Sequence, residues 1–152
     1  MIDITDGRAD DAPALAELWR AAWQLTYPEI DFAARLPFIH GQFGEAAEGR
    51  YAFRVAWHAS VPQGFTLVEG ETSLLEQIVV APEAWGTGAA DALLDDVLKR
   101  HGPTLWLVVN QFNARAITFY QRKGFVIVAE GANAAGRPTY TMRLAAKTPL
   151  TP

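Results

Sequence analysis

The 152-residue chain contains no cysteine. That excludes a disulfide framework, a thiol nucleophile and any cysteine-ligated metal. Its three histidines, His40, His58 and His101, are scattered and form no HExxH pair, so no metal site is expected. Long apolar runs are also missing: none approaches the ~18 residues of a spanning helix. Residues 1–6 carry neither a basic n-region nor an apolar h-region, so no signal peptide is expected and the reading is cytoplasmic, with no membrane partner. Positive charge is sparse. Lys and Arg total 13 against 17 Asp and Glu, for a formal net charge of −4, and the one local basic cluster is Arg115, Arg122 and Lys123. A nucleic-acid partner normally calls for a basic stripe, so none is expected.

What remains is an ordinary globular composition, 50% hydrophobic and 20% charged, in a chain long enough for one core. No repeat or low-complexity stretch interrupts it. The reading is one domain over residues 1–146 and a short tail over 147–152. Residues 2–5 read as a strand. Asp10-Asp11-Ala12-Pro13 opens a helix, because carboxylates and Pro both suit a first turn. Leu15, Leu18, Trp19 and Ala22 give that helix one apolar face. A second, less regular helical segment follows Tyr27-Pro28 and is expected to break before Pro37, with a loop over 41–49. Alternation of Tyr51, Phe53, Val55 and Trp57 predicts a strand over 51–58. Residues 61–64 read as a turn, 65–69 as its hairpin partner and 73–81 as a strand with a continuous apolar end. Helix 88–100, strand 104–109 and helix 113–123 follow, the last with Asn113 as N-cap and Gly124 as terminator. Strands over 125–129 and 139–144, joined by the polar stretch 131–138, close a β-α-α-β-β-β-α-β-α-β-β order, which makes a mixed sheet with helices on its faces.

The chemistry concentrates in residues 77–94, where a buried strand runs through Pro82 into the turn Trp85-Gly86-Thr87-Gly88 and then into an amphipathic helix. Glycines let backbone N–H groups converge on one concavity, and the helix N-terminus adds free N–H groups and partial positive charge. Such an arrangement binds phosphate. The stretch lacks the G-x-x-x-x-G-K-[ST] of nucleotide hydrolases and the G-x-G-x-x-G of dinucleotide sites with its acidic residue ~20 positions on. Taken alone, it is also compatible with a tight strand-to-helix turn that holds no ligand.

A second segment, 105–125, adds to the pattern. Val80, Pro82, Gly86, Gly88 and Ala90 fit V-x-P-x-x-[RQ]-G-x-G-x-[GA]. Asn110, Asn113, Ala116, Phe119, Tyr120, Gly124 and Phe125 fit a strand ending in Asn followed by N-x-x-A-x-x-F-Y-x-x-x-G-F. With these two motifs the chain resembles the GNAT N-acetyltransferase superfamily along nearly its whole length. The resemblance implies an α/β (α+β) fold, with a mixed, mostly antiparallel central sheet of about seven strands and about four helices. It also implies acetyl-CoA as cofactor, direct attack by a small-molecule or peptide amine, and a possible homodimer through the last strands, where Tyr140 and Met142 would be exposed. Trp85 departs from the pattern, standing where the family usually has Arg or Gln.

The site residues carried over by the resemblance are as follows. Ile78, Val79, Val80, Trp85, Gly86, Thr87, Gly88, Ala89 and Ala90 would hold the cofactor from the strand and the turn. Asn113, Ala116, Phe119 and Tyr120 would hold it from the later helix. A backbone N–H near Val80 would serve the oxyanion. Tyr120, protonated at neutral pH with an ordinary pKa near ~10, would protonate the departing thiolate; helical spacing equally allows a core aromatic. Glu76 would be the base, against the alternative of a strand-end carboxylate in solvent. Trp23 and Tyr27 lie where relatives place acceptor-binding residues, although most aromatics of that region read as core. A non-catalytic CoA-binding module, or another ligand in the glycine turn, are the other functions the residues allow.

Overall fold

The computed structural model describes residues 1–145. The expected tail, 147–152, and the domain boundary at 146 lie outside them. The described chain holds seven strands and four α-helices, with every strand pairing antiparallel and the strands distributed over two sheets. By contact density it divides into two compact units, Met1–Arg100 and the residues from His101 onward.

The first unit holds β1 (Asp3–Asp6), α1 (Ala12–Thr26), α2 (Leu36–Ala47), β2 (Tyr51–His58), β3 (Val61–Glu69), β4 (Leu75–Val80) and nearly all of α3 (Ala89–His101). Its sheet runs β1-β2-β3-β4, so β4 is an edge strand. Leu15, Trp19, Ile39 and Phe43 from the two helices pack with Val55, Phe65, Leu67 and Val79 of the sheet in one core. Arg54 of β2 is a buried cation. It reaches Asp6 at 2.9 Å and Asp96 of α3 at 3.1 Å.

Three local expectations for this unit are corrected. The helical segment expected after Tyr27-Pro28 is reduced to a 3-10 turn over Ala33–Arg35. The segment 41–49 is not a loop: α2 begins at Leu36 with Pro37 in its first turn and runs through Gly41 and Gly44. Pro37 starts the helix rather than breaking the preceding one, because a first-turn residue has no intrahelical N–H bond to lose. The buried positions Ile39, Gln42 and Phe43 follow the i, i+3, i+4 spacing of an amphipathic face. Residues 61–64 are not the turn but the start of β3. The reversal occurs one step earlier, at Ala59 and Ser60, both at positive φ as a two-residue hairpin requires. Beside it, Trp57 pairs with Pro62 and Ala56 with Gly64, leaving Gln63 as the extra residue of a bulge that admits the proline.

The second unit is a three-stranded sheet of order β5-β7-β6, from β5 (Trp106–Asn110), β6 (Phe125–Ala132) and β7 (Pro138–Leu144), with α4 (Ala114–Arg122). Asn113 caps α4 as expected, its side-chain oxygen accepting from the Ala116 N–H at 3.3 Å. Gly124, at φ +97°, ends it. β6 continues three residues beyond the expected 125–129, through Ala132. Met142, expected at the surface, is fully buried, and Tyr140 is half-buried; the exposed apolar residues of the last strands are Val126, Ile127 and Val128 of β6.

Candidate active site

The edge of β4 defines the first part of the site. The Ala81 N–H donates to the Gln63 carbonyl at 2.8 Å across the Gly64–Val80 pair. In an antiparallel ladder that bond brackets a non-hydrogen-bonded pair, so the N–H and C=O of Val80 turn away from β3. Ile78, two residues back in the same register, repeats the orientation about 6.8 Å away. Val79 between them turns its backbone to β3 and buries its side chain. The strand therefore offers an extended, amide-bearing ligand the N–H groups of Ile78 and Val80 and the Ile78 carbonyl in a row, the Val80 carbonyl being taken by Trp85. Gly64 permits this geometry. A Cβ there would lie 2.3 Å from the Val79 carbonyl oxygen and 3.1 Å from the Val80 Cα.

Past Val80 the chain makes a short 3-10 turn over Pro82–Ala84 and enters the glycine turn, where Gly86 and Gly88 stand at φ +80° and +91°. A side chain at either would have open space but a conformation that L-residues disfavour. Thr87 is committed inside the turn, its N–H and hydroxyl both donating to the Ala84 carbonyl. The N–H groups of Gly86, Gly88, Ala89 and Ala90 find no acceptor among the described residues. They precede or open α3, whose first turn adds the helix dipole. Donors converging at a helix start, next to a strand edge that can hold amides, fit the pyrophosphate and pantetheine arm of a CoA thioester. Trp85 fills its unusual position by turning back to the strand, its indole Nε1 donating to the Val80 carbonyl at 2.9 Å.

Glu76 also sits on β4, in a bulge. Leu67 pairs with Gln77 and Val68 with Leu75, which leaves Glu76 as the extra residue. It is neither buried nor free in solvent. Its Oε1 accepts from Gln42 Nε2 at 2.9 Å, while Gln42 Oε1 accepts from Gln77 Nε2 at 2.9 Å. Tyr51, buried close by, has its phenol pushed up, by burial first and then by the charge of Glu76. Gln42 is absent from the residues expected at the site because Gly41 and Gly44 point to a loop there; the Ile39–Gln42–Phe43 spacing is the signal that marks its burial, though not its partner.

At the C-terminus of α1, Trp23 and Tyr27 are stacked, with ring centroids 5.8 Å apart and planes 12° from parallel. Both are half-buried against the core. Gln24 shapes the chain beyond them, donating to the Ile30 carbonyl at 2.6 Å and accepting from the Phe32 N–H at 3.2 Å.

In the second unit Tyr120 packs against Phe119 and Phe125 with centroids 5.4 and 5.9 Å away. Burial pushes its phenol well above the ordinary tyrosine range, so it holds its proton at neutral pH. Ala116 lies on the same helix, its N–H taken by Asn113. The site residues are thus grouped in two sets: residues 23–90 in the first unit, and Asn113, Ala116, Phe119 and Tyr120 in the second.

Comparison with known proteins bears on the family and the fold. Residues 37–146 match the family model of an acetyltransferase (GNAT) domain. The chain is 32% identical over 130 residues to the peptidyl-lysine N-acetyltransferase YiaC of Escherichia coli strain K12, covering 82% of this chain and 84% of that protein. Among solved structures, the PaiA N-acetyltransferase of Thermoplasma acidophilum in complex with coenzyme A superposes with a TM-score of 0.73 at 19% identity, over 95% of this chain and 98% of that one. The ribosomal-protein-S18-alanine N-acetyltransferase of Escherichia coli gives 0.73 at 24% identity, over 99% of both. These two likenesses speak for the fold. The molecule is an acyltransferase. It belongs to the GNAT acetyltransferase family, whose cofactor is acetyl-CoA.

Proposed function

We propose that this acetyltransferase moves the acetyl group of acetyl-CoA onto a primary amine by direct attack, and that the amine is a lysine side chain in a peptide. The observation that carries the reading is the outward-facing edge of β4 running straight into a turn of unused N–H groups. The lysine acceptor is supported by two relatives, YiaC and the YjaB protein of Salmonella typhimurium strain LT2, both named peptidyl-lysine N-acetyltransferases.

Acetyl-CoA supplies the acyl group as an activated thioester. Ile78 would hold its amide-bearing arm through both backbone groups, Val80 would meet its acetyl end, and the N–H groups of Gly86, Gly88, Ala89 and Ala90 would hold the pyrophosphate, with Asn113, Ala116 and Phe119 contributing from α4. The Val80 N–H would donate to the acetyl oxygen as negative charge develops there. A lysine amine, with an ordinary pKa near ~10.4, must lose a proton before it attacks. Glu76 takes that proton, directly or through one water. As the C–S bond breaks, Tyr120 delivers the proton on Oη to the departing sulfur, and the second proton shed by the attacking nitrogen returns to Oη through water. Trp23 and Tyr27, at the end of α1, would pack beside the aliphatic stem of the acceptor lysine. The domain responsible is residues 1–146, acting in the cytoplasm. A homodimer through the last strands would rest on Val126, Ile127 and Val128 rather than on Met142.

Tyr120→Phe tests the reading. It keeps the ring packing against Phe119 and Phe125 and removes the proton. We expect kcat to fall about 100-fold or more, within the usual range for loss of a general acid, while the acetyl-CoA dissociation constant stays within about twofold. An unchanged kcat would remove Tyr120 from the chemistry, and a protein that binds acetyl-CoA but turns over no amine would be a binding module.

A further inference from the structure

Gln42 stands outside every motif of the family resemblance, and it sits on a helix whose neighbouring buried residues are apolar. A buried amide is costly unless both its ends are satisfied. Here both are, and by different partners: Gln77 Nε2 donates to Gln42 Oε1, and Gln42 Nε2 donates to Glu76 Oε1, each at 2.9 Å. Gln42 and Gln77 are both at least nine-tenths buried. The two contacts fix which way the Gln42 amide points. The ionised carboxylate of Glu76 can only accept, so the NH2 group of Gln42 must face it, and the oxygen of Gln42 must then face the NH2 group of Gln77. In a regular strand the adjacent side chains of Glu76 and Gln77 would point to opposite faces. The bulge at Glu76 breaks that alternation and lets both reach one amide.

We infer that Gln42 is a positioning residue for the proton-accepting carboxylate. The Gln77–Gln42–Glu76 chain clamps Glu76 Oε1 from α2 and leaves Oε2 as the oxygen available to the acceptor amine. No described residue other than Gln42 hydrogen-bonds this carboxylate; the other ionisable group that faces it is Tyr51 of β2. This rests on the reading of Glu76 as the base. It assigns α2 a part in catalysis through one side chain, and it gives the bulge in β4 a purpose.

The test uses the whole chain, acetyl-CoA and a pool of lysine-containing peptides, with four proteins: native, E76Q, Q42E and the double exchange Q42E/E76Q. Glu76→Gln alone tests the base reading. If it leaves kcat intact, that reading fails irrespective of Gln42. Gln42→Glu keeps the size of the side chain and its acceptor for Gln77 but replaces the donor facing Glu76 with an oxygen. We expect it to lower kcat about tenfold or more with KM for acetyl-CoA within about twofold, whereas a merely structural role would leave the two parameters unsplit. In the E76Q background the same substitution should cost nothing further, because there is no base left to position. An equal loss in both backgrounds, or a full kcat in Q42E beside a slow E76Q, overturns the inference while leaving Glu76 as base. An activity-free readout accompanies these. The side-chain amide of Gln42, identified by NMR from its disappearance in Q42E, should shift and exchange faster with water in E76A. An amide signal indifferent to E76A would also overturn the inference.

Discussion

Gly64 is a residue whose only contribution is the atom it lacks. Because a Cβ would strike the Val79 carbonyl oxygen at 2.3 Å, and that oxygen is backbone, Gly64→Ala must displace β3 or the end of β4. We expect a loss of about 1–3 kcal/mol in urea unfolding, typical of overpacking, together with weaker acetyl-CoA binding, since the displaced residues are those that present Val80. A variant of native stability and native affinity would mean that the Gly64–Val80 approach is dispensable. Tyr120 gives a prediction in pH. Its folded pKa is raised by burial above the unfolded value near ~10. The unfolded chain therefore ionises first, and the stabilisation is complete below that value and is lost as pH rises from there through the folded pKa. Stability measured by denaturant should fall between about pH 10 and 11 more steeply in the native protein than in Tyr120→Phe. The same raised pKa means that Tyr120 sets no alkaline limb in kcat below about pH 9. Identical alkaline slopes in the two proteins would contradict the assignment.

Elements differ in what holds them. The side chain of Arg54 links β1, β2 and α3 through Asp6 and Asp96, and hydrogen bonding to Asp96, above all, holds its guanidinium pKa up. Removing the buried partner leaves the Arg54 charge only the exposed Asp6, so Asp96→Asn should cost about 2–4 kcal/mol, at or below the usual range for breaking a buried pair. The exposed Arg20–Glu17 pair of α1 has no such burden, and Glu17→Gln should cost under about 1 kcal/mol. Equal effects in urea titrations would refute the distinction. Most elements were legible in the sequence because local pattern and tertiary role agree: the apolar face of α1, the alternation of β2, and the Asn113 cap and Gly124 stop of α4. The departures at Pro37 and at residues 61–64 share a cause. In both places the local signal was a proline beside glycines, and those residue types both start and interrupt elements. Their tertiary setting decided: a first helical turn in one case, a bulge beside an edge in the other. The glycine turn and its neighbours could be read from the motifs as a candidate site. Gln42 could not, because its role depends on a contact 34 residues along the chain, to Glu76.

At the scale of the molecule, the acetyltransferase has net charge −4 and no cysteine, and its fold is shared along 95% or more of the chain with solved acetyltransferases. Negative charge favours a cationic acceptor through long-range attraction, which agrees with a lysine ammonium arriving at a carboxylate. The measurement that tests the central claim most directly is mass spectrometry of lysine-containing peptides after incubation with the protein and acetyl-CoA. The account predicts one acetyl group gained on the lysine side chain, at a rate that falls in Tyr120→Phe and Glu76→Gln. Peptides that stay unmodified while acetyl-CoA binds, or acetylation at the same rate in both variants, would contradict it.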